Sequence, residues 1–548
     1  MILTIDYLLA DKSYRLSGDI DEKISEQDDN LAYLVDVTDD RITLKLYPKK
    51  KLIIQEVSLR NPFVLEEDDR IFFNGYQDWT YSYESDKNTK NPGINEVPFK
   101  SFTLKKYHFD RYGDYNFAEY PNIEGYNHGW SYLYVRNNDD YKLLGSLNEN
   151  FCFTRFVYDH DQLIIIPDLK GYECYDSFVA LDFCILNGKE DEVFDKYFEM
   201  LKIDKPGTGT GTGTGANPIT GYTSWYNHYQ NITEKKLLND LSGLSDVDVF
   251  QIDDGYQTYV GDWLNINTNK FPNGLENIVN TIHDKGFKAG IWLAPFSAEK
   301  KSDIYKNHKD WLVKDEAGNP YACGCNWSTF YALDIYKVEV RQYLKQVFDT
   351  VFNKWGFDLV KLDFLYSACV LNRKDKPRGL IMADGMNLLR QLCTDKLILG
   401  CGVPLASAFG KVDYCRIGCD VSLKYDDVFY MKHMHNERNS TKRTMVDTIF
   451  RRQLDGRAFL NDPDVFVLRD KHVSLTKEEK EKLAIINGLF GSLLFTSDDI
   501  GKYDEYKLSL YNKIKNLKGK AKAITLNNNV VCVKYEDGEV RIELWESI

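Results

Sequence analysis

The sequence predicts a multidomain α/β protein: an N-terminal β-sandwich, a central (β/α)8 TIM barrel and a small C-terminal antiparallel β domain. Three observations lead there. Short runs of alternating apolar and polar residues fill roughly the first 200 positions. A Gly/Thr-rich break follows at 206–218. Beyond it, apolar strands alternate with amphipathic helices, until strands alone return at the end. At 548 residues the chain holds more than one ordinary domain, since about 150 residues per domain gives roughly three to four units with room for one large barrel.

The N-terminal unit is expected over 1–205. RITLKLYPKKKLIIQEVSL (41–59) alternates in the period of half-buried strands, and NFCFTRFVYD (150–159) and QLIIIPDL (162–169) add short strands. The break, PGTGTGTGTGANP, reads as a flexible linker bounded by Pro206 and Pro218. Its glycines alternate strictly, so they lack the spacing of a phosphate-binding loop.

The barrel is expected over 219–505. Eight candidate strands lie at 219–225, 248–253, 288–294, 330–334, 358–363, 397–401, 412–418 and 492–497. Between them Val340, Leu344, Val347, Phe348, Val351 and Trp355 form one helical stripe, and Leu275, Ile278, Val279 and Ile282 form another before Gly286. A doubly wound sheet is the alternative, but eight strands in so even a rhythm favour closure. The C-terminal β domain, 506–548, holds strands at 522–526, 530–536 and 540–545, the last two joined through Glu536-Asp537-Gly538.

Composition narrows the function. Hydrophobic residues at 43% and charged residues at 28% describe a globular chain. The net charge of −14 provides no surplus of cations for nucleic acid or an anionic membrane, and leaves a neutral small-molecule partner open. Aromatic residues at 14% suit sugar-stacking clefts as well as large cores. The start carries no basic, apolar leader pattern, and no run approaches the ~18 apolar residues of a membrane span. Eleven scattered cysteines, an odd number, argue against a complete disulfide framework and for a reducing cytoplasm. Cys323 and Cys325 have no matching second pair for zinc, and His433 and His435 sit with Asn436, Glu437 and Arg438 in a stretch read as a solvated loop. No metal or cofactor is expected, and a homo-oligomer stays open.

In such a barrel the active site lies at the C-terminal strand ends. There the chain places Asp253-Asp254, Trp292, Lys361 with Asp363, Cys401, Arg416 with Asp420, and Asp498-Asp499. A carboxylate ending a buried strand must find a partner or a function. Each one alone is as well explained by a helix cap or an ion pair; four such strands together point to a site. Carboxylates mixed with Trp and Tyr suit a sugar, and a carboxylate pair suits glycoside hydrolysis. A metal-dependent lyase or isomerase is the competing chemistry, but no strand end carries His.

The motifs GYTSWYNHYQNITE (221–234), QIDDGYQTYVGDW (251–263), NKFPNGL (269–275), GIWLAPF (290–296), YALD (331–334), VKLDFLY (360–366), LGCGVPL (399–405), DYCRIGCD (413–420), NDPD (461–464) and TSDD (496–499) resemble glycoside hydrolase family 36, the bacterial α-galactosidases of compact type. FFNGYQDW (72–79) resembles the family's loop from the β domain into the barrel. The resemblance implies a retaining α-galactosidase working through a covalent galactosyl-aspartate. Asp363 matches its nucleophile and Asp420 its acid/base. Asp253 and Asp254 match the pair that holds the sugar hydroxyls around C4. Lys361, Trp292, Trp225, Arg416, Cys401 and Trp79 match sugar-contacting positions. An α-N-acetylgalactosaminidase, a galactosyl transferase of raffinose-synthase type and a silent sugar-binding relative share the scaffold. The chain departs from the family in VSLKYD after Asp420, where Pro and Trp are usual, and in Asp78, where Ser is commoner; both changes are expected on the leaving-group side. Lys361 is expected to keep Asp363 ionised, and Asp420 must be protonated to donate to the leaving oxygen.

Overall fold

The computed structural model describes residues 1–20, 24–94, 99–203, 216–426, 429–527 and 529–544. Most of the expected linker, 206–218, lies outside the described residues.

Two antiparallel sheets make the N-terminal sandwich. The run 41–59 divides between them: Arg41–Pro48 pairs with Leu31–Val37 and Phe178–Lys189 in one sheet, and Leu52–Pro62 pairs with Ile2–Leu9 and Gln162–Pro167 in the other. The polar turn between the two strands therefore carries the chain from one sheet to the other. Ile42, Leu44 and Leu46 face Val57 and Leu59 within one apolar core, as period-two alternation requires. The outer face of the first sheet, with Phe72, Tyr132 and Tyr134, packs instead into the core shared with the barrel.

The barrel strands are β1 (Ile219–Thr223), β2 (Val249–Ile252), β3 (Lys288–Leu293), β4 (Leu359–Leu362), β5 (Leu397–Gly400), β6 (Tyr414–Arg416), β7 (Leu460–Asp462) and β8 (Leu493–Thr496). They pair in parallel in the order β7-β6-β5-β4-β3-β2-β1-β8, and Val465–Phe466 adds beside β8. The two edges of this sheet, β7 and Val465–Phe466, are joined in sequence by Pro463-Asp464 alone, so the sheet must curl shut.

One expected strand is replaced. Residues 330–334 do not enter the barrel: Phe330–Ala332 pairs antiparallel with Ser297–Glu299 and Ala322–Gly324 in an excursion that follows β3. The eighth place goes to β7, whose side chains include buried Asn461 and Asp462. Polar residues in so short a strand hide it from any search for apolar runs.

The small C-terminal sheet, Ala521–Asn527, Val530–Tyr535 and Gly538–Glu543, has its hairpin closed through Tyr535↔Gly538. Residues from 505 onward open with a helix, Glu505–Ile514, rather than a strand. Its Leu510, Tyr511 and Ile514 join the barrel core together with Val531, Val533 and Ile542 of the sheet. All eleven cysteines are free thiols. Among the described residues no helix is long and apolar enough to cross a membrane.

Candidate active site

The strand ends open into a cavity of about 260 Å³. Its floor carries Asp253, Asp254, Trp292, Lys361 and Asp363, its walls include Asp420 and Trp225, and Trp79 closes over it. Eight of the ten residues expected at the site line this one space.

Local backbone explains how two successive aspartates serve one cavity. After β2 the chain turns at Gly255, φ 123°, where a Cβ would lie 2.6 Å from the Gln230 carbonyl oxygen. That turn breaks strand alternation and requires glycine. Asp253 Oδ2 meets Lys361 Nζ at 3.2 Å and accepts from Gln251 Nε2 at 2.9 Å. Asp254 accepts from Gln230 Nε2 at 2.7 Å, from Gln257 Nε2 and from Trp327 Nε1 at 3.0 Å. Burial still raises the Asp254 carboxyl above its ordinary range, against the pull of those donors.

Asp363 follows β4 directly. Its Oδ2 accepts from Trp292 Nε1 at 2.9 Å and its Oδ1 from the Phe364 amide at 2.7 Å, which fixes the plane of the carboxyl. Burial pushes this carboxyl up; the Lys361 charge and the Trp292 bond pull it back, and the charge of Asp420 adds to the rise. Lys361 is therefore shared: it is hydrogen-bonded to Asp253 and acts on Asp363 through its field. Burial works most strongly against the ammonium, yet Asp253 together with the other acidic groups around it, Cys401 and Asp363, outweighs it, and Lys361 titrates above its usual range.

Asp420 is about a third exposed, with a side-chain accessibility of 35%, and its Oδ1 accepts from Arg416 Nη1 at 2.8 Å. Arg416 and Cys401, expected against the sugar, lie behind the cavity wall. The Arg416 guanidinium also donates to Asp464 at 2.9 Å and to Asp462 at 3.4 Å, so it orients Asp420 from behind. The Cys401 thiol is buried beside Asp363, and burial drives its titration far upward.

Asp78 takes a different place from the one expected. It does not line the cavity: its oxygens accept from the Gly402 and Val403 amides at 3.0 and 2.7 Å. It thereby pins the loop of the β domain to the end of β5 and delivers Trp79, whose ring lies 5.1 Å from that of Phe364. Asp498 is likewise structural, accepting from the Leu468 amide at 2.6 Å and from Arg469 at 2.8 Å.

Sequence reasoning missed Trp327, Tyr112 and Glu437. Trp327 leaves the β3 excursion at φ 52°, followed by Ser328 at 66° and Thr329 at 108°, and this run of left-handed residues turns its indole onto Asp254. Glu437, read as part of a solvated stretch, is instead 8% exposed and lines the cavity. It accepts from Thr80 Oγ1 at 2.6 Å and Gln77 Nε2 at 3.1 Å, and burial pushes its carboxyl up to about 7. Among the described residues no group of three His, Cys, Asp or Glu side chains could hold a metal ion.

The sequence profile of the melibiase family matches residues 216–374, which run from the start of β1 through β4 and Asp363. Over that stretch the chain is similar to melibiases. An α-galactosidase of Lactobacillus acidophilus is 27% identical over 163 residues, and an A type blood α-D-galactosamine galactosaminidase of Flavonifractor plautii is 32% identical over 147. These matches cover 28% and 25% of the chain, and 22% and 14% of the relatives' own lengths. The likeness of fold extends further than the sequence match. An α-galactosidase from Thermus thermophilus, solved with p-nitrophenyl α-D-galactopyranoside, superposes with a TM-score of 0.72 at 24% identity, covering 95% of this chain and 99% of that one.

Proposed function

We propose that this chain hydrolyses terminal α-galactosides with retention, by double displacement through a galactosyl ester of Asp363. The observation that carries the reading is the carboxyl pair: Asp363, held at both oxygens on the cavity floor, faces the same cavity as Asp420, and their charges act on each other. Asp363 Oδ attacks the anomeric carbon while Asp420, protonated, gives its proton to the departing glycosidic oxygen. Asp420, now ionised, takes a proton from water, and that water cleaves the ester and frees Asp363. The retaining course rests on the family likeness of KLDF and RIGCD. Arg416 orients Asp420; Trp292 and Lys361 stabilise the ionised nucleophile.

Galactose is the sugar that Asp253 and Asp254 suit best. Asp254 accepts three hydrogen bonds from protein donors, and a carboxylate has about four acceptor positions, so one remains for a hydroxyl of the substrate. An epimer that misses that acceptor leaves it buried and unpaired, at about 1–3 kcal/mol. Comparing the nitrophenyl α-glycosides of galactose, glucose and N-acetylgalactosamine tests the reading. The α-galactoside is expected to exceed the α-glucoside by at least about 100-fold in kcat/KM. Preference for the acetamido sugar would move the assignment to an α-N-acetylgalactosaminidase, and preference for glucose would overturn the role given to Asp253 and Asp254.

A further inference from the structure

The floor and the roof of the cavity differ in chemistry. The floor is carboxylates, an ammonium and indoles. The roof, contributed by loops remote from the strand ends, presents the rings of Trp79, Phe109 and Tyr112 and the thioethers of Met431 and Met434. Of the polar groups in the roof, the Tyr112 hydroxyl and the Glu437 carboxyl are taken by protein partners, and the Trp79 indole N–H is the buried donor left without one among the described residues. The Tyr112 hydroxyl donates to Asn326 Oδ1 and accepts from the Cys325 amide at 2.9 Å. Both oxygens of Glu437 are taken by Thr80 and Gln77. A leaving group rich in hydroxyls would thus enter a space where few partners are free, while carbon would meet carbon and sulfur.

The apolar surface also continues outward. Phe109 stacks on Tyr107 with ring centroids 5.5 Å apart and 17° between planes. Tyr107 is 38% exposed, and Phe102, on the same short helix Lys100–Tyr107, is 66% exposed. The Lys106 ammonium lies 4.9 Å from the Tyr107 ring and 5.7 Å from the Phe102 ring. The lane runs from the cavity roof to the surface of the molecule.

We propose that the leaving-group side is a binding site for an extended apolar aglycone, so that the chain acts on alkyl-type α-galactosides in preference to α-galactosyl oligosaccharides. The proposal rests on the galactosidase reading above and specifies its substrate class. Methyl α-galactoside, octyl α-galactoside and melibiose test it cleanly. In each the bond broken joins galactose to an alcohol oxygen on a methyl or primary carbon, so differences in kcat/KM report what the leaving group touches more than its acidity. A fully buried methylene is worth about four-fold, so three buried methylenes predict octyl above methyl by roughly 60-fold, with melibiose no better than methyl. Met431→Gln, measured as the octyl-to-methyl ratio within the variant, is expected to lower that ratio by about five-fold or more; Phe109→Asn is expected to do the same from the other side of the lane. Melibiase-type turnover with melibiose equal to or better than octyl α-galactoside overturns the proposal and leaves the galactosidase reading standing. An octyl-to-methyl ratio unchanged in both variants overturns the assigned lane. Failure to turn over any of the three, or nitrophenyl α-galactoside, removes both.

Discussion

Replacing Lys361 by Met should damage the fold and the chemistry in separable ways. Lys361 is 8% exposed and its Nζ lies 3.2 Å from Asp253, itself 3% exposed. Removing one partner of a buried ion pair leaves the other charge uncompensated and costs about 3–5 kcal/mol. Against a total of about 5–15 kcal/mol for a typical domain this is a large loss, readable as a lower urea midpoint. Asp253→Asn combined with Lys361→Met should be less destabilised than Lys361→Met alone, because no charge is then stranded. The chemistry moves independently. Burial holds the Asp363 carboxyl above the ordinary aspartate range, and Lys361 opposes that rise. On the proposed mechanism Asp363 must be ionised, so activity is expected to fall as pH falls through its titration. Without Lys361 that acid limb of kcat/KM should shift to higher pH by about one unit or more. The assay is a pH–rate profile on nitrophenyl α-galactoside beside urea unfolding at one fixed pH. A Lys361→Met protein with wild-type stability and an unmoved acid limb would refute the electrostatic account of the floor.

Trp327→Phe removes one hydrogen bond to the buried Asp254 carboxylate, and should lower kcat/KM on the α-galactoside by roughly 10- to 100-fold, since a bond to a charged group is worth about 1.5–3 kcal/mol; an unchanged value would show that Trp327 only packs. Asp254→Ala should shrink the preference for α-galactoside over α-glucoside as well as the rate, measured by the two nitrophenyl substrates. Glu437 titrates near 7 in the folded chain against an ordinary 4.5, so its protonated form favours the fold. Its contribution is fully present below about pH 4.5 and is lost as pH rises through about 7. The melting temperature of Glu437→Gln should therefore gain on that of the wild type as pH rises across that window, and parallel curves would contradict the burial assigned to this carboxyl.

The parts of the site that could be read from the sequence are those set by the barrel strands. A buried parallel strand is an apolar run, and the residue that ends it is visible as the first charge: Asp253, Asp254 and Asp363 were found this way and do share a cavity. The same rule overreached at Asp498, which ends β8 yet serves the Leu468 amide and Arg469. It also failed at β7, where Asn461 and Asp462 interrupt the apolar pattern, and at 330–334, where apolar alternation belongs to an antiparallel excursion. What was not legible depends on contacts between distant segments. Glu437 is buried only because Gln77 and Thr80 of the β-domain loop fold onto it, and nothing near it in sequence announces that. Trp327 acts through a run of left-handed backbone in a stretch with no periodic pattern. Arg416 ends its strand as expected, but its partners Asp462 and Asp464 turn it away from the cavity and onto Asp420.

The central claim is that Asp363 forms the covalent intermediate. Asp363→Ala deletes the attacking oxygen and leaves Trp292, Lys361 and Asp420 in place, so turnover of nitrophenyl α-galactoside should fall by several orders of magnitude while the unfolding midpoint changes little. Azide added to this variant fills the vacated face and attacks the anomeric carbon from the side opposite the leaving group. The account predicts recovered nitrophenol release and a β-galactosyl azide product, identified by the anomeric coupling in its proton NMR spectrum. Wild-type turnover in Asp363→Ala, or rescue that gives only the α-azide, would contradict it.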